Sequence, residues 1–492
     1  MHTTVSSGPR SARPTRKYLV LAICCMSLLI VSMDATIVNV ALPSIRSDFH
    51  VTISNLQWTI DSYTLTLASF LLLSGSLADR FGRRRTFQVG LAIFVAGSLL
   101  CSIAPSIGFL IAARVLQGLG GSMLNPVAMS IITNTFTVAK ERARAVGVWG
   151  AVVGISMAIG PLVGGALTET VGWRSVFWVN VPIGLAAIVL TALFVPESRA
   201  AIARRLDPAG QALAIVTLVS AIFALIEGPR LGWTSPVTLG LFVVAALAVV
   251  ALILHEKRTP DPFIDLRFFH SFPFTSAALT AVLGSSSFGA FLFINALYLQ
   301  GVRGFSPIQT GTFMVPLAAA TLVLSLVSGR MVGSFGTRPS LLIAGVMMSA
   351  SGLVMTTVTA NTADWTLILA YVLFGIGFGA VNAPITTSAV SGMPRSRAGV
   401  ASGVASTSRQ TGVSLGVALA GTVTGAGLQT TLGPSFAIAA HAQWWVIVGA
   451  GAVIVVLGVI STSAWSKGTT RRIAELLDEP EPEKSPIVSE AA

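Results

Sequence analysis

The sequence predicts an all-α polytopic membrane protein of fourteen transmembrane helices: two six-helix bundles with two further helices inserted between them. Three observations carry that prediction. Apolar runs of about 20 residues, the length that crosses a bilayer as a helix, recur throughout the 492-residue chain. Lys and Arg fall almost entirely in alternate loops. Short motifs recur at a separation of 253–257 residues.

The composition sets the solvent. Hydrophobic residues make up 53% of the chain and charged ones 10%, where a soluble domain carries roughly 25% charged. The residue-by-residue alternation of an outer-membrane barrel is absent. Cys24, Cys25 and Cys101 sit inside apolar runs and read as small core residues, neither a disulfide framework nor a metal site. The basic stretch before Tyr18 followed by an apolar run has the look of a signal peptide. The run is too long for one, lacks a small-x-small cleavage site and leads into further spans, so it reads as a retained first helix.

The first seven spans are placed at 18–40, 55–77, 87–105, 109–131, 145–167, 175–195 and 209–227. The second seven are 235–254, 273–299, 308–332, 339–358, 365–389, 398–424 and 444–464. An even count puts both termini on one side. Of the 31 basic residues, 25 lie in segments on that side and 4 on the other (Arg46, Arg174, Arg230, Arg303), with Arg114 and Arg409 inside spans. The positive-inside rule makes the termini cytoplasmic. The net charge of +12 is then a consequence of topology, and no nucleic-acid partner is expected. The domain plan is a basic cytoplasmic tail (1–17), a first bundle (18–195), two inserted helices with their loops (196–272), a second bundle (273–464) and a cytoplasmic tail (465–492). In that last tail "DEPEPEK", Asp478 to Lys484, predicts a short helix at most, then disorder. The Ala- and Gly-rich composition suits a high-GC bacterium and an inner-membrane location.

The repeat fixes the bundles. "GSLADRFGRRR", Gly75 to Arg85, follows span 2, and "GRMVGSFGTRP", Gly329 to Pro339, follows span 10. Aligned at the leading Gly, Phe81 meets Phe335, Gly82 meets Gly336 and Arg84 meets Arg338. Two spans later, "RVLQGLGGSMLNP" from Arg114 matches "YVLFGIGFGAVNAP" from Tyr371, with Asn125 on Asn382. "RARA" from Arg142 and "RSRA" from Arg395 make a third pair. Spans 1–6 therefore repeat as spans 9–14, with spans 7 and 8 inserted, a plan shared by many secondary transporters. The copies differ in charge: Asp79 aligns with Gly333 and Arg114 with Tyr371.

Those charges are the candidate proton-coupling residues. In "MDATIVNVALP", Met33 to Pro43, Asp34 lies roughly 12 Å inside span 1 at 1.5 Å per residue. Asp61 in span 2 and Arg114 in span 4 lie roughly 8–9 Å deep on the same count. A carboxylate at such depth is protonated or paired. Burial disfavours its ionised form and a guanidinium favours it, so the two effects poise Asp34 to exchange a proton. The alternative is a static Asp34–Arg114 pair. Gln117, one turn from Arg114, extends the polar stripe. Gln57, Trp58, Tyr63, Gln117, Asn295 and Arg409, with Phe291, are the candidate walls of a substrate cavity.

In the loop after span 2, Asp79 is placed to cap span 3 or to pair with loop arginines, while Gly75 and Gly82 permit a close turn. With Arg80, Arg83 and Arg84 they are the candidate gating loop, as opposed to simple positive-inside anchoring. In span 5 the small residues Gly154, Ser156, Ala158, Gly160, Gly164 and Gly165 let helices approach closely, and Pro161 can bend the span.

These motifs resemble a family. "GSLADRFGRRR" looks like the cytoplasmic loop signature of the major facilitator superfamily. "RVLQGLGG", the span-5 stretch "GVWGAVVGISMAIGPLVGG" and "MDATIVNVALP" are similar to the motifs of its fourteen-helix drug:proton antiporters, the EmrB/QacA type. The likeness covers nearly the whole chain, with Ser156 where the span-5 motif usually has Gly. It implies the superfamily fold, spans 2 and 13 as neighbours (so that Arg409 could link to Asp61), and a span-5 hinge at Gly160, Pro161, Gly164 and Gly165 that seals against proton leak. The family often carries acids in later spans; spans 9 to 14 here, as placed above, hold none.

The expected function is proton-coupled export of amphipathic drugs or antibiotics by alternating access. The alternative is a dedicated exporter or importer of one metabolite, siderophore or lipid. The partners are a small amphipathic substrate, protons and the bilayer; the chain is taken as a monomer and uses no cofactor beyond the proton gradient. No Gly-x-x-x-x-Gly-Lys-Ser/Thr loop offers ATP drive. His2, His50, His255, His270 and His441 lie in tails or loops without a catalytic grouping, so no enzyme is expected.

Overall fold

The computed structural model describes residues 14–199, 206–259, 262–394, 397–425 and 433–477. The described residues form helices and no strand. Spans 1 to 5 are Pro14–Phe49, Ile53–Phe81, Arg83–Ser102, Ile107–Thr135 and Ala139–Thr170. Span 6 is a short helix, Ser175–Trp178, running into Asn180–Phe194. The inserted spans 7 and 8 are Pro208–Leu231 and Pro236–Glu256. Span 9 is Phe272–Gly301, span 10 is Pro307–Phe313 continued by Val315–Phe335, and spans 11 and 12 are Thr337–Met355 and Asp364–Val390. Span 13 is Ala398–Gly425 and span 14 is Pro434–Ala439 continued by His441–Ser461. A tail helix, Ala464–Leu477, follows, as the tail's composition allowed; Asp478 to Lys484 and Arg395 lie outside the described residues.

Thirteen of these helices are long and apolar enough to cross a membrane. Span 13 is not among them although it has 28 residues, because its sequence is rich in Gly, Ser and Thr and carries Arg409. It is packed inside the bundle, between spans 2 and 9, where lipid need not accept those side chains.

Helix ends follow local chemistry. Ser106, Asp207, Ser235 and Ser306 each accept a backbone N–H of the first turn, and Pro opens spans 7 to 10. The matched motif glycines do the same job twice: Gly82 (φ 107°) separates spans 2 and 3, and Gly336 (φ 78°) separates spans 10 and 11.

The sequence repeat is a packing repeat. Spans 3, 2 and 1 pack on 4, 4 and 5, as spans 11, 10 and 9 pack on 12, 12 and 13. Span 3 packs on span 6 as span 11 does on span 14. The halves meet along two seams related by the repeat, span 2 with span 13 and span 5 with span 10. Lipid gives apolar helices no hydrophobic reason to associate, so contact area and small residues must do it. A side chain at Gly120 would strike the Phe94 backbone of span 3, and one at Gly118 would strike Tyr63 of span 2.

The described hydrogen bonds between the halves all lie toward the end opposite the termini. Gln57 donates to the Val417 and Ala418 carbonyls (3.1 and 2.7 Å), Ser414 to Asp61 (2.8 Å) and Gln300 to the Val40 carbonyl (2.8 Å). Glu169 accepts from Ser306 Oγ (2.6 Å) and Ile308 N (2.9 Å). That end of both seams is shut. Span 7 lies over the 2/13 seam and is tied to each side. Trp58 Nε1 donates to Glu227 (3.0 Å), Gln211 to the Ser69 carbonyl, and Thr422 to the Leu225 carbonyl (2.6 Å).

Candidate functional site

Asp34 and Arg114 are almost completely buried, at 0% and 1% exposure, and they form a direct ion pair. The carboxylate also accepts from Gln117 Nε2 (2.9 Å) and Asn180 Nδ2 (3.0 Å). Arg114 also donates to the Thr59 carbonyl (3.0 Å) and to Gln117 Oε1 (2.6 Å). Gln117 in turn reaches Ser98 Oγ at 2.7 Å. The guanidinium lies over the ring of Tyr63, 4.1 Å from its centroid, with Phe177 at 5.6 Å. Spans 1, 2, 3, 4 and 6 all contribute, so the constellation exists only when the first bundle is assembled. A buried ion pair needs further hydrogen bonds to support it, and here Asp34 Oδ1 accepts two of them while Arg114 donates through Nε and Nη1.

Asp61 is also fully buried but sits elsewhere, on the 2/13 seam. Its Oδ1 accepts from Ser414 (2.8 Å) and Thr64 (3.4 Å), and its Oδ2 has no partner. The link from Arg409 to Asp61 that the span order allowed is not made. Arg409, half-buried, donates to Thr386 of span 12 at 2.9 Å, and the residue of span 13 facing Asp61 is Ser414.

The remaining cavity candidates go to three places. Tyr63 and Gln117 belong to the Asp34 network. Gln57 is bonded across the seam, and Trp58 faces span 7, its ring tilted at 55° to that of Phe223 with centroids 5.5 Å apart. Asn295 is inside the second bundle, where it accepts from Tyr371 Oη (2.7 Å) and donates to the Phe291 carbonyl (2.8 Å). There the position that matches Arg114 is filled by an aromatic stack: Phe291 packs on Tyr371 (5.3 Å) and Phe374 (4.2 Å).

In the gating loop, Asp79 pairs with Arg83 (3.2 Å), one of the two roles expected of it. The other role, capping span 3, belongs to Glu197, whose carboxylate accepts from Arg84 N (3.1 Å) and Arg85 N (3.3 Å). Arg84 itself reaches the Ala192 carbonyl, Arg80 lies over Phe81 (5.8 Å), and a Cβ on Gly75 would meet nothing within 4 Å. A Cβ on Gly82 would meet the Glu197 carboxylate at 2.6 Å. In span 5, Gly160 and Gly164 face span 1 at Thr36 and Ile37. Gly165 and Pro161 face span 10 at Pro307 and Gly311. The motif therefore serves two interfaces at once.

Sequence reasoning missed Asn180, Ser98, Ser414 and Glu197. Asn180 had a signal, as an isolated amide in the apolar run of span 6. The serines had none, because a single hydroxyl in a span bonds its own helix as readily as a neighbour.

A family model described as Major Facilitator Superfamily matches residues 24–417. The multidrug resistance protein Stp of Mycobacterium tuberculosis (strain CDC 1551 / Oshkosh) is 38% identical over 409 residues, 83% of this chain and 76% of that protein. The tetracenomycin C resistance and export protein of Streptomyces glaucescens is 36% identical over 407 residues, 82% and 76% of the two chains. The methylenomycin A resistance protein of Streptomyces coelicolor is 35% identical over 381 residues, 77% and 80%. Among solved structures, the POT family transporter PepTSo superposes with a TM-score of 0.63 over 91% of this chain and 98% of that one. At 16% identity it speaks for the fold alone. On the motifs, the doubled six-helix packing and these matches, the chain is a multi-pass membrane protein belonging to the Major Facilitator Superfamily.

Proposed function

We propose that the protein is a proton-coupled antiporter that exports amphipathic drugs or antibiotics across a bacterial inner membrane. Both termini are cytoplasmic, and the protein acts as a monomer without cofactor or catalytic activity. Three relatives named for multidrug or antibiotic resistance support the export of drugs. The distribution of Lys and Arg supports the orientation.

The observation that carries proton coupling is the Asp34–Arg114 pair, enclosed in one half and replaced in the other by aromatic rings. A carboxylate whose charge depends on one guanidinium is sensitive to any shift between spans 1 and 4. The hydrogen bonds that close the outer seams support a resting state in which substrate is taken up from the cytoplasm. As the halves rock, protons from outside reach the carboxylate, substrate leaves, and proton return drives the cycle. One proton moving inward yields about 2.3 kcal/mol per 100 mV and about 1.4 kcal/mol per pH unit, which supports more than tenfold accumulation.

The test is Asp34→Asn in everted vesicles with a cationic dye. Drug-driven proton release should vanish while dye binding survives; undiminished release refutes the assignment. Relatives named for single antibiotics, tetracenomycin C and methylenomycin A, favour a second reading, a dedicated exporter. A substrate panel separates the two: export confined to one compound class selects the dedicated pump.

A further inference from the structure

We propose that Asp61 and Ser414 form a proton-operated lock on the outer end of the 2/13 seam, closed while the Asp61 carboxyl carries a proton and released when the proton leaves. The proposal rests on the alternating-access part of the reading above and assigns Asp61 a task distinct from that of Asp34.

The two acids differ in every contact. Asp34 has a cation and two amide donors, all from its own bundle. Asp61 has hydroxyls only, one of them from the opposite half, and a second oxygen that is buried with no partner. Among the described residues no charged group on the elements packed around it is paired with it. Arg114 of span 4 faces Asp34, and Tyr63 of span 2 itself lies under Arg114. Arg409 of span 13 bonds Thr386, while Glu227 of span 7 takes Arg230 and Trp58. An ionised carboxylate in that setting is a buried charge without compensation, which proteins do not keep. The neutral acid fits, because either partner of the Asp61–Ser414 pair can donate to the other.

The register makes this a lock and not an isolated bond. Gln57, one turn before Asp61, bonds the Val417 and Ala418 carbonyls, one turn beyond Ser414. Gly421 leaves that amide its space. Span 2 thus holds span 13 at two successive turns, one through a group that is always neutral and one through a group that titrates. Loss of the proton places a bare charge in the seam, and separating the spans to admit water relieves it. A proton arriving from outside meets Asp61 at the open seam, neutralises it and lets that side close; it returns to water on the cytoplasmic side later in the cycle. Protonation thereby favours the state open to the cytoplasm, the direction an exporting antiporter requires.

The experiment places spin labels on exposed positions at the outer ends of the two halves, Val171→Cys and Trp365→Cys, in full-length protein with the native cysteines replaced, in liposomes. Distances are read at about pH 5 and about pH 8. The short distance should dominate at the lower pH and a longer one should appear at the higher. Asp61→Asn should hold the short distance at both. Ser414→Ala should populate the longer distance already at the lower pH, with Ser414→Thr restoring the parental profile. An Asp61→Asn protein that opens with pH as the parent does overturns the proposal, as does a parent that does not respond. Asp34→Asn separates the two readings: the lock predicts that its distances still follow pH even where its transport is lost.

Discussion

The Asp34 carboxylate and the Arg114 guanidinium meet 80 residues apart in sequence, wholly inside the first bundle. None of the described bonding partners of either residue belongs to the second half. The pair therefore ties bundle integrity to charge, while the described hydrogen bonds between the bundles are made by Gln57, Asp61, the Val40 carbonyl and Glu169 of span 5.

Removing one member of a buried pair strands the other. Arg114→Gln should destabilise the protein by about 3–5 kcal/mol, seen as a lowered unfolding temperature in detergent. The double variant Asp34→Asn with Arg114→Gln should recover much of that stability, since no charge is stranded, yet remain inactive in proton-coupled export. A double variant no more stable than Arg114→Gln would contradict the pairing account.

The two motif glycines give a comparison with a built-in control. Gly82→Ala and Gly336→Ala both force a side chain to positive φ, costing roughly 1–2 kcal/mol. Only Gly82 has Glu197 where the new carbon would sit. Gly82→Ala should therefore lower thermal stability more than Gly336→Ala, and Glu197→Ala in the same chain should narrow the gap. Equal effects would mean that the Glu197 cap is unimportant.

On the face that carries the start of span 13, Asp265 holds Arg267 at 2.9 Å and also bonds Arg397. Partial burial pushes its carboxyl up, but the hydrogen bonds and charge of Arg267 and the charge of Arg397 outweigh this, and it lies below the ordinary Asp range. A depressed carboxyl stabilises the fold above its unfolded-state value, about pH 3.9, and the contribution is lost as pH falls through the folded-state value. Asp265→Asn should therefore melt earlier than the parent at neutral pH, with the difference shrinking below about pH 4. A gap that widens in acid would show the sign to be wrong.

Gln57 can be tested without changing any charge. Gln57→Ala removes two bonds to span 13 carbonyls, each worth roughly 1 kcal/mol. It should shift the molecule toward the outward-open state, raising labelling of the outer seam by an impermeant reagent. Unchanged labelling would mean that these bonds do not hold the seam.

Much of the architecture could be read from the chain because its causes are local or periodic. Span length follows from bilayer thickness, and the two bundles from motifs repeated in order. Span 13 shows where hydropathy alone weakens: its polar composition hides a helix that the repeat predicts. The sequence also marked Asp34, Asp61 and Arg114, since a charge in an apolar run demands an account. What it could not supply was partnership. Asp34 and Asp61 look alike as isolated acids, yet one lies inside a bundle against a cation and the other on the seam against a serine. That difference rests on which helix faces span 1 or span 2 and in which register, a matter of side-chain packing between helices far apart in sequence. The same packing chose Glu197 over Asp79 as the cap of span 3, and sent Trp58 to the inserted helix and Gln57 to the opposite half.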